Sequence, residues 1–212
     1  MIRYFLGIEI DENNVWGLFI SSGYLKVMKE IDKDLSIYSV KIPNYEIERE
    51  FYRIINTWFS KNINGLVLKN ILQDLINLNF ESYNENFKMY CLEMFSYFDV
   101  NEKNAESFYH AFVLGMLVYL KDSYYIRSNG MSGYGRYDIM LEPIDKKMNA
   151  YIMEFKVYNK VKEKSIKETI ENAKKQIENK KYDADLKARG FNNIYKQVYA
   201  FKGKDVVVES YK

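Results

Sequence analysis

The stretch Ser132-Gly133-Tyr134-Gly135-Arg136-Tyr137-Asp138-Ile139-Met140-Leu141, followed after a short turn by Ile152-Met153-Glu154-Phe155-Lys156-Val157, decides how this chain is read. It predicts two strands, 136–142 and 150–157. Side chains alternate faces along a strand, so Glu154 and Lys156 point one way and Phe155 and Val157 the other. A turn centred on Lys146 sets Asp138 directly across from Glu154. Two carboxylates facing each other on one side of a sheet repel, and a divalent cation with oxygen ligands removes that penalty best. Lys156 adds a positive group beside them. The alternative is a solvent-facing polar stripe on an antiparallel hairpin. The Glu-x-Lys spacing is cheap by itself, since Glu178-Asn179-Lys180 repeats it where a helix is expected.

Upstream of this pair, 105–120 reads as a helix apolar nearly all round, hence buried on several sides. Within it Glu106 and His110 are four apart and share a face. A carboxylate on such a helix needs a partner. A strand at 124–128 follows. Downstream come a long charged helix over about 162–181 and strands at 194–201 and 205–209. The order α-β-β-β-α-β predicts an α/β (α+β) core, a mixed sheet flanked by helices. Before residue 101 the chain reads as mostly helical. Apolar stripes at helical spacing occupy 46–60, 66–78 and 87–98, and Cys91 lies in the last of them as a buried small hydrophobe. A short helix at 14–24 precedes a hairpin of 24–31 and 35–42, a winged-helix-like arrangement. The polar segment 99–105 is the natural boundary between regions 1–100 and 101–212, with Asn101 and Asn104 as helix caps.

Composition narrows the chemistry. Of 212 residues, 48% are hydrophobic, with one cysteine, one histidine and two prolines. That excludes an internal disulfide, cysteine-built metal sites and multi-histidine centres, leaving carboxylates, lysines and hydroxyls. The longest apolar run, Phe108 to Leu120, falls short of the roughly 20 residues a membrane span needs. With no signal-peptide pattern either, the expected location is cytoplasmic. The net charge of +2 hides an asymmetry: residues 146–212 hold 17 Lys and Arg against 9 Asp and Glu, and residues 1–145 hold 14 against 20. A basic C-terminal third suits a polyanion, although interleaved Glu163, Glu168, Glu171 and Glu178 also fit a solvated helix face. Gly133-Tyr134-Gly135 is not a dinucleotide loop, because residue 138 is Asp. These glycines are expected to form a flexible loop entering the strand.

The two quoted stretches, with Glu106-Ser107-Phe108-Tyr109-His110, Gly115, and Gln176-Ile177 with Tyr182, resemble the PD-(D/E)XK nuclease superfamily. More narrowly they look like the nuclease domain at the C-terminus of a group of bacterial AAA-ATPase-like proteins. The likeness covers about 101–201. It continues more weakly at Trp16-Gly17-Leu18 and Ser22-Gly23-Tyr24-Leu25, which are similar to the segment linking ATPase and nuclease. No Gly-x-x-x-x-Gly-Lys-Ser/Thr run is present, so the ATPase is missing, the chain is read as either a fragment or a natural stand-alone version, and an AAA-ATPase module is admitted as a partner. Tyr137 stands where the superfamily often has Pro.

The resemblance implies a restriction-endonuclease-like fold and a metal-dependent nuclease acting on nucleic acid, with DNA favoured and RNA left open. Asp138, Glu154 and the Phe155 carbonyl would hold Mg²⁺ or Mn²⁺, with Glu106 supporting the metal directly or through water. Lys156 would orient or deprotonate the attacking water and offset transition-state charge, and Gln176 would position the surrounding shell or contact a phosphate. Arg136, Ser132, Tyr182 and Lys175 are the candidate substrate-binding residues. Many nucleases of this fold are dimers, so a homodimer is admitted. The rival is a binding module for nucleic acid or protein that kept the fold without the chemistry. The complete Asp138, Glu154 and Lys156 set argues against it.

Overall fold

The computed structural model describes residues 4–5, 8–9, 12–33, 37–62, 65–95 and 105–212. Asn101 and Asn104, expected as caps, lie outside them. The chain divides into two compact units, 1–58 and 59–212.

In the first unit, β1 (Tyr4–Phe5) and β2 (Ile8–Glu9) pair antiparallel and lead to α1 (Glu12–Ser21). Then β3 (Lys26–Asp32) and β4 (Ile37–Lys41) form the expected hairpin. The helix α2 (Tyr45–Asn62) is capped by Asn44, whose Oδ1 accepts from the Ile47 amide at 2.9 Å. Phe19, Tyr24 and Phe51 meet edge-on at centroid distances near 6 Å and tie α1, the turn after it and α2 together.

The second unit begins with α3 (Gly65–Ile76) and α4 (Phe80–Met94), then α5 (Ala105–Leu117) with a 3₁₀ turn over Val118–Leu120. Next come β5 (Tyr124–Ser128), β6 (Met131–Ser132), β7 (Gly135–Arg136), β8 (Ile139–Pro143) and β9 (Ala150–Val157). The chain closes with α6 (Ile166–Lys180), α7 (Ala184–Ala188), β10 (Ile194–Lys202) and β11 (Asp205–Tyr211). Five strands make a mixed sheet in the order β11-β10-β9-β8-β5. Only β9 and β10 run parallel, as the α6 crossover requires. This is the mixed sheet flanked by helices that the element order anticipates, and it agrees with the restriction-endonuclease-like fold that the resemblance implies.

Helices cover both faces of β9, so its first six residues are buried. Its parity sorts the two cores. Ala150 and Ile152 join Ile170, Ala173 and Ile177 of α6. On the other face Phe155 stacks against Tyr199 at 5.0 Å, and Tyr109 lies flat on Phe201 at 3.9 Å. The helices α3 and α4 belong to this second face. The Tyr151 hydroxyl donates to the Leu75 carbonyl at 2.9 Å, and the Tyr83 and Tyr199 hydroxyls bond at 2.6 Å.

Strand boundaries differ from expectation between β5 and β8. The segment 136–142 is not one strand. Residues 124–143 form a single long hairpin whose register, Ser128 with Ile139 and Met131 with Arg136, is preserved across a break at Asn129–Gly130. Asn129 takes a positive φ of 54° there, and a Cβ on Gly130 would strike the Tyr137 hydroxyl at 2.2 Å. The tip therefore leaves the sheet while the pairing continues. The long crossover helix α6 also starts later than its charge pattern suggests. Ser165, accepting from the Glu168 amide at 3.3 Å, fixes the N-terminus of α6.

Candidate active site

The site is built on β9 beside the start of β8. Observed pairs Ile139–Met153, Met140–Ile152 and Leu141–Tyr151 hold the register that sets Asp138 opposite Glu154. Asp138 falls one residue before β8. Its Oδ2 accepts from the Phe155 amide at 2.8 Å, which replaces the next ladder bond and holds the carboxylate beside Glu154.

Glu154 is 1% exposed on the α6 face. Its Oε1 accepts from Lys156 Nζ at 2.7 Å and from Gln176 Nε2 at 2.6 Å. Its Oε2 is buried and has no hydrogen-bond partner. Burial, reinforced by the Asp138 charge, pushes the carboxyl pKa up to about 7, and Lys156 only partly offsets this. Burial works against the Lys156 charge too, but the adjacent Glu154, with Glu106 and Asp138, outweighs it and holds the ammonium above its ordinary value. Lys156 is thus a charged group at neutral pH.

Residues 104–211 match a family model of the PD-(D/E)XK nuclease superfamily. The chain belongs to that superfamily. No curated protein and no solved structure matches it.

Asp138 and Glu154 offer hard oxygen donors, and a buried carboxylate oxygen without a partner is the atom a divalent cation would satisfy. Among the described residues, no group of three or more His, Cys, Asp or Glu side chains is clustered for metal binding. Any cation here would therefore rely on two carboxylates completed by backbone oxygen or water. Glu106, exposed on the first turn of α5, acts on Glu154 and Lys156 through its charge.

The remaining candidates separate into two groups. Gln176 sits among the chemical groups, and its Nε2 also donates to the Tyr182 hydroxyl at 2.9 Å. Tyr182 itself is 2% exposed, so it supports Gln176 from below. Ser132 is buried as well, its Oγ accepting from the Asp185 amide at 3.2 Å at the start of α7. Arg136 and Lys175 are exposed, the former two residues before Asp138 and the latter beside Gln176 on α6. His110 completes the surroundings. Its Nε2 lies 3.2 Å from the Asp138 carbonyl, which can only accept, and 3.1 Å from Ser128 Oγ. A proton on Nε2 satisfies the carbonyl and steadies the residue that carries the carboxylate. Ser128 is a contributor the sequence pattern does not single out, because only the β5–β8 pairing brings it to His110.

Proposed function

We propose that the chain is a metal-dependent nuclease that hydrolyses phosphodiester bonds, with DNA as the favoured substrate. The observation carrying this reading is Glu154. It is a carboxylate buried next to a second carboxylate, with one oxygen fixed by Lys156 and Gln176 and the other left without a partner. Such an arrangement costs folding energy, and a cation bound by Asp138, Glu154 and the Phe155 carbonyl, supported by Glu106, would relieve it. Bound there, Mg²⁺ or Mn²⁺ supplies positive charge at the scissile phosphate. The chain's own groups do the rest. The Phe155 amide orients Asp138, and Gln176, braced by Tyr182, fixes the rotamer of Glu154. Lys156, held as an ammonium, orients the attacking water and offsets the negative charge that grows on the phosphate. Its raised pKa favours this electrostatic role over proton abstraction.

The test is cleavage of single- and double-stranded DNA and RNA with Mg²⁺, Mn²⁺ or EDTA, beside Asp138→Ala and Lys156→Ala. Metal-dependent cutting lost in both variants, with unchanged circular dichroism, is expected. Cutting that survives both variants overturns the site. No cutting by folded wild-type protein with either metal favours the non-catalytic binding module.

A further inference from the structure

The tip of the long hairpin, β6 and β7, has a construction that the chemistry above leaves unused. In a two-stranded ladder, directly paired residues share a face. Ser132 and Gly135 form the inner face, and Met131 and Arg136 the outer one. The inner face is bolted down. Besides the Ser132 bond to Asp185, the Tyr134 amide donates to the Lys180 carbonyl at 2.7 Å. Gly133 sits at φ +58° so close that a Cβ would lie 2.3 Å from the Lys180 and Lys181 carbonyl oxygens. A Cβ on Gly135 would come 3.0 Å from the ring of Tyr182, the residue that braces Gln176. The expected flexible glycine loop is instead an anchored finger, and its glycines serve close approach rather than motion.

What this finger presents is unusual for a surface turn. Tyr134 at the tip is 70% exposed and Met131 68%, with Arg136 exposed beside Met131. The Lys181 ammonium lies over the Tyr134 ring, 5.5 Å from its centroid. Lys181 itself is pinned as the left-handed cap of α6, φ 51°. A cation on one side of the ring fixes the ring's orientation and leaves the opposite side to solvent. An exposed aromatic ring held under one cation, with a second cation on the outer face of the same finger, suits the stacking of a nucleobase and the neutralising of nearby phosphates.

We infer that the β6–β7 finger is a nucleotide-binding element in which Tyr134 stacks on an unpaired base next to the scissile phosphate, with Lys181 and Arg136 on the flanking phosphates. The inference rests on the nuclease reading and deepens it. A base within a duplex has no free face for the ring, so the element selects single-stranded or frayed substrate.

The test uses the full chain in EDTA, so that nothing is cut, with single-stranded and blunt duplex DNA carrying 2-aminopurine, whose fluorescence falls on stacking. Tyr134→Ala is expected to weaken single-strand binding about tenfold, a typical loss for one base–aromatic stack, and to abolish the quench. Tyr134→Phe should retain both, and duplex binding should change less than twofold in either variant. Wild-type affinity and quench in Tyr134→Ala overturn the inference alone. A wild-type chain that neither binds nor, with Mg²⁺ or Mn²⁺, cuts any strand overturns the nuclease reading and the inference with it.

Discussion

Replacing Glu154 by Gln removes the most perturbed acid of the site while keeping its shape, and the structure gives the size of the effect. In the folded chain the carboxyl releases its proton only near pH 7, whereas in the unfolded chain it does so near 4.5. Between those values the folded state binds more protons, so stability falls as pH rises and the full loss is reached above 7. The separation corresponds to about 3 kcal/mol. A glutamine has no such dependence. Groups away from the site act equally in both proteins and Lys156 stays an ammonium throughout this range, so the informative quantity is the difference between Glu154→Gln and wild type. Measured by urea unfolding in EDTA from pH 4 to 8, that difference should move by about 3 kcal/mol in favour of the variant, most of it between pH 5 and 7. Parallel stability curves would refute the argument that Glu154 is buried at a cost.

Two further outcomes follow from the same geometry. Gly133→Ala must push a methyl group against the Lys180 and Lys181 carbonyls at a positive φ. It should cost roughly 1–3 kcal/mol and raise hydrogen exchange at the Tyr134 amide, which unchanged protection would contradict. Gln176→Ala leaves the Glu154 rotamer held by Lys156 alone, so kcat should fall about tenfold with KM nearly unchanged; restoration by Glu at this position would argue against a neutral donor role.

The Asp138–Glu154 juxtaposition was legible in the sequence because a short turn near Lys146 fixes an antiparallel register, and register fixes faces. The buried character of α5 was legible for the same local reason, an apolar pattern all round the helix. The split of 136–142 was not, because the local pattern runs on while the tip is drawn off the sheet by bonds to the end of α6, some 45 residues later. Short α7 spans too few residues to show a period. The packing of α3 and α4 on the sheet rests on contacts such as Tyr83 with Tyr199, 116 residues apart, and no spacing rule reports those. Tyr182 and Ser132 were visible as residues of interest, but their burial beneath the site depends on the turn after α6 and could only be seen in three dimensions.

The alternation of β9 has a consequence for how this chain tolerates change over generations. Glu154 and Lys156 face α6, whereas Tyr151, Met153 and Phe155 face the aromatic layer. Parity along eight residues thus separates two kinds of lesion. On the nuclease reading proposed above, losses at 154 or 156 leave a folded but silent protein. Losses at 151, 153 or 155, all fully buried, instead open the core, at a cost of roughly 2–5 kcal/mol each. On that reading a lineage can abandon the chemistry in one step and retain the fold, whereas a change on the other parity puts the fold itself at stake.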